Sequence, residues 1–525
     1  MSQSIPHDDL VVTQADPARR DRSVFAILLA LYFLILFPLL RADRAYHDDL
    51  KRALIGRTGW DSNGRPLTTL LMKLLQCYDH ALVDISPLTQ IGAVAILAWA
   101  GVLIARRYDI RSPWMAALVT FPLGAQPFFL ENLSYKFDSL SMGVALFLAL
   151  LPWLTLKDTR RGWWLGVLAL FASLNFYQPA INACLLFILL DLVLGQLHDL
   201  PPRPLMRQLL SRLGQSGLAM LIYQLVVGIH IHGWVAQQTL KIRGLHDVPV
   251  IGRNFIDFYT FIGDSFNLQW WRYFAPVLIV LALFPVAIGV RYALRAQQRQ
   301  RRWLALALLA SSPLLPLAGL VGVLGPMLVL LKPEIMPRVL MGVGPLLVAA
   351  LIVMQAALRQ WQWSSKWTLS AAGMLALGMC TFASAYGNAL GEQKAYEDRI
   401  ASHLADDIAQ LKADHPIHYF LLDGSIGYAP ITAHVVDQFP LVRSLIVPYL
   451  SVEDSFHTHM FLLYYITDVT DMRFEPDKEE LQRLPSILAR SCLVPAATRT
   501  AAYSLHLVED TAVIVLRSAN QRHCK

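Results

Sequence analysis

Charge is scarce in this 525-residue chain: 16% of its residues are Asp, Glu, Lys or Arg, while 55% are hydrophobic. A soluble protein carries roughly a quarter charged residues, so a freely soluble globular protein is excluded. Cysteine is scarce too, with five in all, and no CxxC pair or His/Cys spacing suggests a zinc site. The strict alternation of outer-membrane strands is missing. So is any repeat of 20–50 residues. The basic loops hold no P-loop, GxGxxG or DxD, which argues against a soluble nucleotide-sugar donor handled on that side. No small-residue cleavage site follows the first apolar run, which ends Leu40-Arg41-Ala42-Asp43; the run reads as a signal anchor.

What the chain has instead is a series of long apolar runs, each sufficient to cross ~30 Å of hydrocarbon as a helix. They fall at about 24–40, 88–105, 113–130, 138–156, 162–176, 179–196, 215–236, 273–291, 303–331, 339–358 and 367–385, with a re-entrant turn near Gly325-Pro326 as an option for the ninth. Alternate loops are basic: Arg19-Arg20-Arg22, Arg106-Arg107-Arg111, Lys157-Arg160-Arg161, Arg203-Arg207-Arg212, Arg291 through Arg302, and Arg359-Lys366. The positive-inside rule places these in the cytoplasm. The expectation is therefore a polytopic α-helical protein of a bacterial inner membrane. It has a cytoplasmic tail over 1–23, a membrane domain over 24–385 and a periplasmic domain over 386–525. That last segment holds 12 Lys/Arg and 18 Asp/Glu, a net of −6, which leaves +13 on the first 385 residues of a chain with a total of +7. Basicity distributed over short loops is a topology signal and not a nucleic-acid footprint. Cys184 and Cys380 fall in spans and Cys77 in an outer loop, while Cys492 and Cys524 share the outer domain, where a bridge is compatible with a periplasm.

The loop 41–87 is too long to be a connector. Residues 46–56 and 66–80 carry helical apolar spacing, and Thr58 to Arg65 is a turn-rich break between them. Two short interfacial helices are expected, with Trp60 as a belt residue. After Tyr386 the pattern predicts a small α/β domain: an amphipathic helix over 392–412, a strand over His418–Leu422, and a hairpin of Ala502–Val508 and Thr511–Arg517 joined by Glu509-Asp510.

The chemistry-bearing residues gather at the outer ends of the spans. Asp48 and Asp49 form an adjacent acidic pair beside Lys51 and Arg52. One carboxylate suits a general base for a hydroxyl and its neighbour a support; the alternative is a helix N-terminus, which also favours Asp. Glu131-Asn132-Leu133-Ser134-Tyr135-Lys136-Phe137-Asp138 joins the third and fourth spans. There Glu131, Asn132, Tyr135 and Asp138, with Trp60, are candidates for binding substrate hydroxyls. Lys51, Arg52, Arg65, Lys136 and Arg338 are candidates for a phosphate leaving group, which needs positive charge where negative charge builds up; Lys332 is an outer cation of the same kind. Asn175, Tyr177 and Gln178 form a polar outer turn. His230 and His232 are placed in the seventh span, and their i, i+2 spacing does not share a helix face.

Tyr46-His47-Asp48-Asp49-Leu50-Lys51-Arg52, Gly59-Trp60-x-Ser62-x-Gly64-Arg65-Pro66-Leu67, Ser86-Pro87 and Glu131-Asn132-Leu133-Ser134-Tyr135-x-Phe137-Asp138-Ser139 together resemble the serotype-converting O-antigen glucosyltransferases, polytopic enzymes of the GT-C type. The likeness is strongest over about 40–150. It is thinner after 386, where Pro440-Leu441-Val442-Arg443-Ser444-Leu445 and Pro448-Tyr449-Leu450 carry it. The resemblance implies an inverting transfer of glucose from undecaprenyl-phosphate-glucose to a lipid-linked O-antigen or related surface glycan. A donor synthase and a small flippase would be functional partners, with no metal or other cofactor, and Asp48 or Asp49 would be the base. Two other readings stay open on the residues: a polyprenyl-linked sugar flippase, whose charges would lie nearer mid-membrane, and another GT-C transfer to protein or lipid A.

Overall fold

The computed structural model describes residues 17–78, 80–156, 159–242, 244–298, 302–452, 455–465 and 478–516. Among them, seven helices are long and apolar enough to cross a membrane: Pro17–Ala42, Leu88–Arg107, Gln178–Leu197, Pro202–His230, Leu268–Ala296, Val343–Gln360 and Lys366–Asp414. Shorter apolar helices occupy Pro113–Ala125, Ser139–Leu154 and Leu314–Val329. The chain is a helical membrane protein.

Several expected spans take a different form. The run 113–130 is a helix only over Pro113–Thr120, then a single turn at Pro122–Ala125 and a further helix at Phe129–Ser134. Pro122 and Pro127 remove backbone donors and end each piece. The run 303–331 divides into Arg302–Ser311, Leu314–Leu324 and a 3₁₀ turn at Gly325–Val329. Gly325 adopts φ +50°, so the break falls at the Gly325-Pro326 position marked in the sequence. The helix expected over 215–236 runs from Pro202 to Val226 and is continued by a 3₁₀ turn that ends at His230, which leaves His232 beyond the span.

The last span continues without interruption through Tyr386 to Asp414 as one 49-residue helix. Its first half packs along Pro17–Ala42, and a Cβ at Gly387 would stand 2.7 Å from the Pro38 carbonyl carbon. Small residues allow such close approach of helices in a membrane. Its second half carries Ile400, Ala401, Leu404 and Ile408 on one face, the spacing of a buried helical stripe. That stripe packs on a four-stranded sheet of β1 (Tyr419–Asp423), β2 (Thr498–Arg499), β3 (Tyr503–Val508) and β4 (Thr511–Leu516), ordered β1-β4-β3-β2. β1 lies parallel to β4, with Tyr419 opposite Thr511, and β3–β4 is the expected hairpin, turning at Glu509 with φ +58°. Cys492 is disulfide-bonded; Cys524 lies outside the described residues.

The helices expected in the loop 41–87 form at Asp49–Ile55 and Pro66–Gln76. The second leaves Leu70 and Leu74 exposed and buries Thr68, Thr69 and Met72 against protein, as a helix at a lipid interface does. The first is different, because its Leu50 joins the core formed by Ile400, Leu404, Leu505 and Ile514. The acidic pair is thus fixed to the C-terminal sheet domain as well as to the bundle.

Candidate active site

A cavity of about 740 Å³ opens at the end of the bundle where these elements meet. Of the residues singled out in the sequence, it is lined by Asp48, Arg52, Arg65, Tyr135, Asp138, Tyr177, Gln178 and Arg338. They come from five separate stretches, so their meeting is a product of the fold.

The two carboxylates of the acidic pair have different environments. Asp49 is fully buried, and it accepts backbone hydrogen bonds from Tyr46 (3.2 Å), Lys136 (2.7 Å) and Phe137 (3.3 Å). It binds the 46–49 turn to the 135–138 stretch and does not line the cavity. Burial pushes its carboxyl up to about 8, against the opposing pull of the Lys136 amide and Arg52. Whatever its charge, a carboxyl so enclosed has no path to a substrate hydroxyl. Asp48 has a side chain 55% exposed and lines the cavity. It stands at the helix N-cap position but makes no capping hydrogen bond. It pairs with Arg52 at 3.4 Å, and helix capping does not account for it.

Arg52 lies between Asp48 and Asp138, 3.4 Å from each, with its guanidinium over the Trp60 ring at 4.4 Å. Trp60 is no belt residue: it is fully buried, and its indole N–H donates to Asp138 at 2.6 Å. The polar edge that suits an interface here supports a buried carboxylate instead. Trp60→Phe is expected to cost about 1–3 kcal/mol by stranding that carboxylate oxygen, read as a lower melting temperature of the detergent-solubilised protein. Arg65 approaches Asp138 at 3.7 Å and stacks over Tyr177 at 4.4 Å.

Arg338 is held from three sides. Its guanidinium bonds Glu131 at 3.3 Å, Glu334 at 3.4 Å and the Tyr135 hydroxyl, and its backbone N–H donates to Glu131 at 2.7 Å. Glu131 therefore sits behind Arg338 and not on the cavity wall. Burial raises its carboxyl above the usual range while Arg338 draws it down. Asn132 is likewise behind the wall and donates to the Arg338 carbonyl at 3.3 Å. Lys136 turns away to Asp43 (2.6 Å) and Asp84 (3.2 Å). Lys51, Lys332 and Asn175 do not line the cavity either.

Further polar residues on the wall include Lys241, Glu334 and His457, which lie outside the quoted motifs, and His47, which lies within the 46–52 motif without being marked for a role. Lys241 belongs to a segment whose neighbours pair with 329–331 through Ile242 N–H to Val329 (3.0 Å) and Leu331 N–H to Leu240 (2.8 Å). Its ammonium donates to the Gln224 amide oxygen, and partial burial lowers its pKa. The cavity wall thus mixes the carboxylates of Asp48, the most exposed of them, Glu334, which is paired with Arg338, and the buried Asp138 with three arginines and a lysine. That combination suits removal of a proton from a neutral substrate beside an anionic group.

Across 434 residues the chain is 25% identical to an uncharacterized 55.3 kDa protein in the gtrB 5' region of Salmonella phage P22, covering 81% of this chain and 87% of that one. No solved structure matches. Residues 23–349, which include nearly all of the cavity wall, match the family described as Glucosyl transferase GtrII, and the chain belongs to that family of glycosyltransferases.

Proposed function

We propose that the protein is an inverting glycosyltransferase that moves glucose from undecaprenyl-phosphate-glucose to a lipid-linked O-antigen or related surface glycan. The reaction takes place at the periplasmic face of a bacterial inner membrane. The observation that carries the reading is the pairing of an accessible, non-capping Asp48 with Arg52, Arg65, Arg338 and Lys241 in one cavity. Asp48 takes the proton from an acceptor hydroxyl. The resulting oxygen attacks the anomeric carbon, and the bond from that carbon to the phosphate oxygen breaks. Undecaprenyl phosphate leaves with the electron pair, its charge met by the cations of the wall. Tyr177 and Gln178 are placed to contact the sugar.

The concentration of Lys and Arg in alternate loops supports a cytoplasmic N-terminus and a periplasmic C-terminal domain. A donor synthase and a flippase would supply the lipid-linked sugar, and neither a metal nor nucleic acid enters the scheme. The test is transfer of label from radiolabelled undecaprenyl-phosphate-glucose to extracted lipid-linked O-antigen by the purified protein in EDTA. Label in the glycan supports the reading, whereas tight donor binding without transfer would return the carrier reading. Lys241 divides the substrates further. Its ammonium meets the neutral amide of Gln224, while Arg52, Arg65 and Arg338 each face carboxylates. Lys241→Gln is expected to raise the donor KM about tenfold, as loss of one charge-assisted contact would, and to leave the acceptor KM within twofold. Equal changes in both would remove Lys241 from the phosphate site.

A further inference from the structure

The C-terminal domain contributes a side chain to the cavity. His457 lies on the helix Ser455–Leu462 and lines the wall together with His47 and Asp48. Its ring meets that of His47 edge-on, with centroids 4.9 Å apart, and His47 in turn lies 6.4 Å from the Tyr135 ring. The position is built. Thr458, the next residue, donates to the Ser451 carbonyl at 2.8 Å, and Phe461, one turn on, packs its ring 5.5 Å from that of Tyr449. The Tyr464 hydroxyl donates to the Leu50 carbonyl at 3.4 Å, fastening the same segment to the helix that follows Asp48. On the other side, His47 adopts φ +47°, a conformation uncommon outside glycine, and its backbone N–H donates to the Tyr449 hydroxyl at 2.9 Å. Backbone held in this region persists where the surroundings impose it.

We propose that His47 and His457 form the acceptor-sugar subsite, with His457 a specificity-determining residue supplied by the C-terminal domain. The proposal rests on the reading of Asp48 as the base. Asp48 shares its wall with these two rings, one of them on the adjacent residue, so a sugar that offers a hydroxyl to Asp48 is brought toward them. An imidazole offers one donor and one acceptor in a fixed plane, which suits adjacent hydroxyls of a neutral sugar. The arginines and Lys241 suit the donor's phosphate instead. Recognition of the two substrates is then divided between chain segments: the bundle holds the lipid phosphate and the C-terminal domain reads the acceptor.

The experiment compares the full-length wild type with His457→Ala and His457→Gln in two ways. The first is direct binding of delipidated O-antigen oligosaccharide and, separately, of undecaprenyl phosphate. The second is acceptor and donor KM in the transfer assay. His457→Ala is expected to weaken oligosaccharide binding and raise the acceptor KM about tenfold. Undecaprenyl phosphate binding and the melting temperature should hold, and His457→Gln, which keeps a donor and an acceptor, should recover part of the loss. Unchanged oligosaccharide affinity in His457→Ala, no oligosaccharide binding to wild type, or equal weakening of both ligands would overturn the subsite. Because binding is read without turnover, a failure of the subsite is told apart from a failure of Asp48 as base, which would show as full transfer by Asp48→Asn.

Discussion

Asp48→Asn is expected to lower transfer by about two to four orders of magnitude, the usual contribution of a positioned general base, and to leave the melting temperature close to that of wild type. The second half of that expectation follows from what Asp48 touches. Its side chain is more than half exposed, it does not cap its helix, and its ion pair with Arg52 reaches into the open cavity. Arg52 is itself buried, but it keeps Asp138 at 3.4 Å when the Asp48 charge is removed, and an ion pair with a solvent-exposed partner contributes about 1 kcal/mol. Asp49→Ala should behave in the opposite way. Three backbone N–H groups would lose their acceptor at a buried position, at about 1–3 kcal/mol for each one stranded. The melting temperature should fall sharply, and the molecules that remain folded should still transfer. The pair therefore separates by readout: catalysis without stability for Asp48, stability first for Asp49. Substantial transfer by Asp48→Asn, or loss of transfer by Asp49→Ala in protein that melts like wild type, would reverse the assignment.

The chemistry of the site was legible from sequence because clustered charged and polar side chains at the outer ends of the spans stand out against an apolar chain. Asp48, Arg52, Arg65, Tyr135, Asp138 and Arg338 were marked on that ground, and all face one cavity. Which marked residues face substrate and which face protein was not legible. Asp49 is held by amides 87 and 88 residues away, and Glu131 by Arg338, 207 residues on; adjacency in sequence cannot distinguish a base from its support. Trp60 carries the same surface signal whether its indole meets lipid headgroups or Asp138. Hydropathy saw the run 113–130 as one span because it counts apolar side chains and not the backbone donors missing at Pro122 and Pro127. It also marked a boundary at Tyr386, where composition changes, although the helix does not stop. His457 and Lys241 sit in stretches without periodicity or motif, and only the packing of distant segments puts them on the wall.

Glu397→Gln is expected to damage transfer severely although Glu397 touches no part of the cavity. Arg44 and Glu397 form an ion pair at 2.8 Å whose side chains are 3% and 1% exposed. Glu397 also accepts from the Tyr449 backbone N–H at 2.8 Å and from Gln393 at 3.0 Å, and Arg44 donates to the Val447 carbonyl at 2.8 Å while lying over the Tyr449 ring at 4.0 Å. Tyr449 carries the effect onward: its hydroxyl donates to the Ala45 carbonyl at 2.8 Å and accepts from the His47 N–H. The turn that presents Asp48 thus hangs on a tyrosine positioned by a buried ion pair. Removing one charge leaves the other buried and unmatched, at about 3–5 kcal/mol. The checking measurement is a double-mutant cycle on melting temperature and transfer. The singles Arg44→Met and Glu397→Met should each be strongly destabilised, and Arg44→Met/Glu397→Met should be less so, since neither charge then remains to be buried alone. If the pair only stabilised the fold, the double variant would regain transfer along with its melting temperature. Because the pair also sets the Tyr449 hydroxyl against the 45–47 backbone, transfer should stay well below wild type in the double variant even where its stability returns.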